Sequence, residues 1–222
     1  ESLGDSINSE YSEYAAVVSQ DEKKLIFTSR RPDTKGGKKA KDGDYFEDIY
    51  AAELMKGSLF ENKVKISDST RGKYFNLVTD FEYRNFRQLG KEVNSSDHDG
   101  SIQLDKDDKT LYYYHKSDIW KIDIDSEEKD KAEAEKLGLH VNSDQHEPSI
   151  FFSYDGKSLF IVSDRPGGYG GLDIYFSQHL QDDEWSEPRN LGPKVNTAED
   201  EDAPYLDPDG KTLYFSSKGH SS

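Results

Sequence analysis

The stretch PSIFFSYDGKSLFIVSDRPGGYGGLDIY, Pro148 to Tyr175, decides how this chain is read. Two apolar segments, Ile150–Phe152 and Leu159–Val162, flank Asp155-Gly156, a dipeptide that favours a tight hairpin turn. After a glycine-rich bend, Asp173-Ile174-Tyr175 opens a third extended segment, and EWSEPRNLG, Glu184 to Gly192, supplies a fourth. The bend itself, SDRPGGYGGLDIYF from Ser163 to Phe176, resembles a phosphate cradle in composition only. A cradle draws its amides and dipole from a following helix, and here a strand follows. Its glycines are read as tolerance to loop length.

The same pattern recurs along the chain. Leu-Gly-x-x-(Val/Ile)-Asn stands at Leu3–Asn8, Leu89–Asn94, Leu137–Asn142 and Leu191–Asn196, and an aspartate follows each leucine by 18 residues: Asp21, Asp107, Asp155 and Asp209. Each aspartate sits between two apolar segments. Asp48-Ile49-Tyr50 and Asp118-Ile119-Trp120 match Asp173-Ile174-Tyr175. Four antiparallel strands in about 50 residues make one propeller blade, which cannot bury both faces alone. The chain is therefore expected to be all-β, a single propeller region over residues 1–222. Its repeats are 3–88, 89–136 and 137–190, with a partial fourth at 191–222, as in a fragment of a larger ring. Residues 54–86 are read as a long excursion between the third and fourth strands rather than an extra blade, and 123–136 as a solvated loop rather than a short helix.

Composition narrows the function. Lys+Arg total 29 against 45 Asp+Glu, a net charge of −16, which argues against binding a nucleic-acid backbone. There is no cysteine, so disulfides and thiolate chemistry are excluded. No apolar run approaches the roughly 18 residues of a membrane span. Neither a Gly-x-Ser-x-Gly elbow nor His-Glu-x-x-His occurs, so no catalytic residue is assigned and no enzyme is expected.

An acid stands eight residues before each turn aspartate: Glu13, Asp99, Glu147 and Glu201. On the innermost strand these would ring the central channel, where calcium is the cation that carboxylates would suit. Across each hairpin lie Arg30 and Arg31, Lys116, Arg165 and Lys218, so structural ion pairs account for the acids without metal or cofactor. Identical acids in one repeated setting are also poor general acid/base pairs. The linker asparagines are expected to bond their own following backbone. Asp48, Asp118 and Asp173 are expected to cap amides where the third strand starts. The connections between second and third strands vary most, spanning 30–47, 116–117 and 164–172, and such variation on one rim is where binding specificity resides. The expected binding rim comprises Arg30, Arg31, Lys35, Lys38, Lys39, Tyr45, Phe46, Arg165 and Tyr169, with Lys41 in the same basic loop.

With these motifs in view, PSIFFSYDGKSLFIVSDRPGGYGGLDIY and APYLDPDGKTLYFSSKGH resemble TolB-like (WD40-like) propeller repeats. The WSEPRNLGPKVNT linker is similar to those in OmpA-family envelope proteins of Bacteroidetes-type bacteria, one branch of which is the PorE-type component of the type IX secretion system. IFTSRRPDTKGG and YFEDIY in the first repeat look similar to that branch. The resemblance implies a non-enzymatic interaction module in the periplasm, associated with the outer membrane through its parent protein. Its implied partners are envelope or secretion-complex proteins, with peptidoglycan held by a domain absent here. A glycan-binding module, and behind it a carbohydrate-active enzyme, are the alternatives.

Overall fold

A computed structural model describes residues 3, 7–35, 37–56, 82–125, 132–181 and 184–220. The strands are β1 (Glu13–Val18), β2 (Lys24–Ser29), β3 (Asp48–Lys56), β4 (Glu82–Gln88), β5 (Asp99–Leu104), β6 (Thr110–His115), β7 (Asp118–Asp123), β8 (Glu135–Lys136), β9 (Ser149–Phe152), β10 (Ser158–Ser163), β11 (Asp173–Gln178), β12 (Arg189–Asn190), β13 (Glu201–Leu206) and β14 (Leu213–Ser217). Pairing is antiparallel and follows chain order within each sheet: β1 to β4, β5 to β8, β9 to β12, and β13 with β14. First strands of successive sheets lie side by side. This is the blade arrangement of a propeller, with three four-stranded sheets and a two-stranded fourth.

β3 and β4 are direct neighbours, so the long insertion joins the third and fourth strands of one blade. Its central part, 57–81, lies outside the described residues, as does 126–131 of the acidic segment after β7.

The hairpin turns share one backbone shape despite unequal sequences. The residue after each turn aspartate is left-handed: Glu22 (φ 62), Asp108 (φ 57), Gly156 (φ 68) and Gly210 (φ 69). Glycine adopts this region freely, whereas Glu22 and Asp108 are held there by the flanking strands.

Three of the four core clusters lie between sheets, and the other, Ile7 with Leu25, Phe27, Tyr50, Ala52 and Tyr83, belongs to the first repeat alone. Ile26 and Ile49 of the first blade pack with Leu104, Leu111, Tyr113 and Ile122 of the second, and the linker residues Leu89 and Val93 fill the seam. Val141 plays the same part between the second and third blades, beside Ile119, Ile150, Leu159 and Ile161. Val195 does so between the third and fourth, beside Val162, Ile174 and Leu213. The repeated Val of the linker motif is thus an inter-blade plug. Single blades expose an apolar face, and these plugs with their neighbours bury it.

The linker asparagines do something the sequence reading did not foresee. Asn94, Asn142 and Asn196 do not bond their own following backbone but reach back to the isoleucine second in the preceding third strand. Asn94 Oδ1 accepts from Ile49 N at 2.7 Å, and its Nδ2 donates to Ile49 O at 2.9 Å and Leu89 O at 3.1 Å. Asn142 repeats this on Ile119 (2.7 and 2.9 Å) and Leu137 O (2.8 Å). Asn196 clamps Ile174 at 2.8 and 2.9 Å and donates to Asn190 Oδ1. All three asparagines are buried. The same isoleucine carbonyls also accept from Leu89, Leu137 and Leu191 N, so the carboxamide supplies the acceptor for the isoleucine N–H and a second donor for its C=O.

Asn142→Ala is expected to cost about 2–4 kcal/mol, since a buried amide and carbonyls lose partners together. Urea unfolding of the variant checks this, and a change under about 0.5 kcal/mol, the range of neutral surface substitutions, would contradict the clamp.

Candidate interaction rim

Glu13, Asp99 and Glu201 head first strands and Glu147 stands two residues before one, and each is consumed within its own blade. Glu147 accepts from Ser143 N (3.0 Å), Ser143 Oγ (2.6 Å) and Ser163 Oγ (2.6 Å), and Arg165 Nη2 lies 3.3 Å away. Glu13 has the same partners in Ser9, Ser29 and Arg31, the last at 3.1 Å. Glu201 has them in Thr197 and Ser217. Asp99, Glu147 and Glu201 are almost fully buried. Burial pushes Glu13 and Glu201 up, but the hydroxyl and amide donors outweigh it and hold both carboxyls below the usual range. These acids form hydrogen-bonded knots beneath the surface rather than a ring open to the channel. Among the described residues no group of three or more His, Asp or Glu is arranged to hold a metal ion.

Several expected ion pairs are corrected. The direct cross-strand partner of each acid is the residue eight after the turn aspartate, a serine in three repeats and His115 in the second. His115 Nδ1 meets Asp99 Oδ1 at 2.5 Å, whereas Lys116 is in a two-residue turn with φ 51. Lys218 pairs with Asp200 at 2.7 Å instead of Glu201. Arg30 turns away from Glu13 to Asp42 and Glu47. The serines after the asparagines and at the ends of the second strands went unnoticed in sequence, although Asn-(Ser/Thr) occurs in all four linkers.

The aspartates that open the third strands diverge. Asp173 Oδ2 accepts from Tyr169 N at 2.7 Å, and Asp48 Oδ2 from Lys35 N at 2.6 Å and Gln88 Nε2, so both cap the preceding loop. Asp118 follows a connection too short to cap and pairs with Lys136 at 2.8 Å.

On the rim, three residues expected to face a partner are occupied internally. Arg31 stacks over Tyr50 (4.9 Å) and Phe86 (4.6 Å). Arg165 lies over Tyr175 (5.2 Å) and donates to Val141 O. Arg30 donates to both carboxylate oxygens of Asp42 (2.7 and 2.9 Å) and to Tyr45 O (2.8 Å). Their side chains are 10–13% exposed. Tyr45 and Phe46 are half-buried, Tyr45 edge-on to Tyr11 and Phe46 edge-on to His98, which contacts Glu47. Lys35, Lys38, Lys39 and Lys41 are exposed on this same loop. Tyr169, 52% exposed, belongs to a separate loop two repeats away.

Gly170 and Gly171 of that loop are required by contact rather than by tolerance to length. A Cβ at Gly170 would lie 2.5 Å from the carbonyl oxygens of Thr197 and Glu199, and one at Gly171 would lie 2.1 Å from Asp200 Oδ1. The loop rests on the next repeat's linker, and Leu172 N bonds Asp200 Oδ1 at 3.1 Å.

No family model matches the chain, and no curated protein matches it significantly. Solved structures do. The chain is similar to a putative TolB from Agrobacterium tumefaciens, 15% identical over 89% of this chain and 51% of that one, with a TM-score of 0.51. TolB from Acinetobacter baumannii is 14% identical over 90% of this chain and 36% of that one, with a TM-score of 0.49. A putative 6-phosphogluconolactonase from Bacteroides uniformis is 13% identical over 90% and 63%, with a TM-score of 0.46. The chain spans less than two thirds of each of these structures. The likeness to the Agrobacterium protein and the sheet topology agree on a TolB-like β-propeller fold.

Burial pushes the Asp48 carboxyl up to about 7, with the nearby Asp99 carboxylate adding to the rise against the bonds from Lys35 and Gln88. Its Oδ1 is buried without a hydrogen-bond partner. The folded chain therefore holds a proton that the unfolded chain releases at its ordinary 3.8, so this contribution to stability is present below 3.8 and lost as pH rises through about 7. Asp48→Asn keeps an acceptor and removes the charge. Its urea midpoint is expected to exceed the wild type at pH 8 and to approach it near pH 4; a lower midpoint at pH 8 would contradict this.

Proposed function

We propose that this chain is a non-enzymatic propeller scaffold that binds protein partners through the face carrying the connections between second and third strands. One observation carries the reading. The strands, asparagine clamps and carboxylate knots repeat, while the connections on this face change from 116–117 to 164–172 to 30–47. The longest carries a lysine-bearing hairpin closed by the bridge of Lys39 with Tyr45. Saturation of the repeated acids by their own blades supports binding over catalysis, because it leaves none of them poised as an acid or base. The resemblance to envelope propeller repeats supports a periplasmic location, in an assembly joining the outer membrane, its secretion machinery and peptidoglycan.

The test is affinity capture from a bacterial envelope extract with three forms of the protein. Replacing residues 37–46 by a short Gly-Ser link, combined with Tyr169→Ala, is expected to abolish capture of the wild-type protein partners. Tyr154→Ala, at an exposed tyrosine in a turn on the opposite face (67% exposed), is expected to leave it intact. Retained capture by the rim variant, or loss only of binding to isolated sacculi, would overturn the reading in favour of a different face or of a glycan ligand.

A further inference from the structure

The geometry points to an extended acidic segment of a partner protein as the occupant of the first repeat's rim, held by Lys38, Lys39 and Lys41; this rests on the binding role proposed above. The loop that carries these lysines is a small folded finger. Lys39 and Tyr45 form an antiparallel bridge. Ala40 N donates to Asp44 O at 2.7 Å, Gly43 N to Ala40 O at 3.1 Å, and Phe46 N to Lys38 O at 3.3 Å. Gly43, at φ 94, makes the reversal that a side chain would strain.

Charge in the finger is sorted. Its carboxylates are drawn to Arg30 beneath it: Asp42 at 2.7 Å, Asp44 at 3.8 Å and Glu47 at 3.6 Å. Glu47 also accepts from Tyr14 Oη at 2.9 Å and contacts His98. Arg30 is charged at any working pH, and the fork of two bonds to Asp42 fixes the finger on its base. Lys38, Lys39 and Lys41 are left exposed, and among the described residues none of them forms an ion pair. What sets the finger apart is its density of positive charge, three lysines in the four residues 38–41 with Lys35 close by, in a chain with 45 acids for 29 bases.

The finger borders an aromatic wall and a groove. Lys39 Nζ lies 5.1 Å from the Tyr45 ring centroid, and Tyr45 stands edge-on to Tyr11 at 6.1 Å. Tyr11 lines an open groove of about 630 Å³ together with Ser9, Glu10, Arg31, Pro32 and Asp33, so the groove suits the segment's backbone and its acids belong on the lysines. An extended chain advances about 3.3 Å per residue, so acidic side chains on one can meet successive lysines while its backbone continues into the groove. Rim charges of this kind set on-rate and salt dependence, and the surrounding negative surface repels wrong-sign approaches elsewhere.

The test uses a fluorescein-labelled 16-residue peptide of alternating Glu-Tyr and Asp-Ser pairs, followed by fluorescence anisotropy with the whole chain. The expected result is saturable binding that weakens at least tenfold in Lys38→Glu/Lys39→Glu/Lys41→Glu and falls steeply as salt rises, while Lys157→Glu/Lys211→Glu, in turns on the opposite face, changes it less than twofold. Arg30→Gln, which frees the finger from its base without touching the lysines, is expected to weaken binding several-fold. Equal binding by the triple variant, or no binding of the peptide, would overturn the inference. So would a preference for inorganic polyphosphate or phosphatidylglycerol vesicles over the peptide, which would reassign the lysines to phosphate. Envelope proteins still captured through the rim in the absence of peptide binding would overturn the acidic segment alone and leave the scaffold reading standing.

Discussion

The structure depends on the carboxamide that ties each linker back to the blade it leaves. Second in each third strand stands an isoleucine whose N–H finds its acceptor in the linker asparagine, while its C=O accepts from both the asparagine Nδ2 and the linker leucine N–H. Because the plug valine immediately precedes that asparagine, fixing the carboxamide also seats the plug in the inter-blade core. The residue after it, Ser or Thr, donates backbone N–H to the acid that heads the next blade, with the hydroxyl joining in at Ser9, Ser143 and Thr197. One short linker thus closes one blade, fills the seam and starts the next.

This explains which parts of the chain were legible. Leu-Gly-x-x-Val-Asn, the turn aspartates and Asp-Ile-aromatic triplets each repeat, and repetition at about 50 residues requires blades whatever the motifs do. Strand order follows from that, whereas the seating of the long insertion, read as an excursion in preference to an extra blade, is given by the pairing of β3 with β4. The pairing of motifs was not legible, because Asn142 and Ile119 meet only in three dimensions. Local chemistry pointed the asparagines to their own backbone, and tertiary demand won. Hairpin register did place Arg31 and Arg165 against Glu13 and Glu147; what it could not show is that both also lie over Tyr50 and Tyr175 inside the blade, which takes them out of the rim.

The same division separates scaffold from function. Positions bound by the clamp, the plug and the knot have no freedom left for a ligand. The opposite condition holds at the rim, where Tyr169 and the lysine finger are supported from below by Asp173 and Arg30 but are open above. The second repeat, with its two-residue connection, replaces the serine and arginine of its siblings by His115 against Asp99. A short turn leaves no room for an arginine to fold back, and a compact imidazole fills the place instead.

The central claim is that linker asparagines, rather than strand pairing alone, close each blade. Native-state hydrogen exchange of the Ile49, Ile119 and Ile174 amides tests it most directly. These amides are expected to exchange only through opening near the global unfolding free energy, and to do so together. Exchange as fast as that of amides in the exposed β14 strand would show that the clamps are open in solution, and would contradict the account.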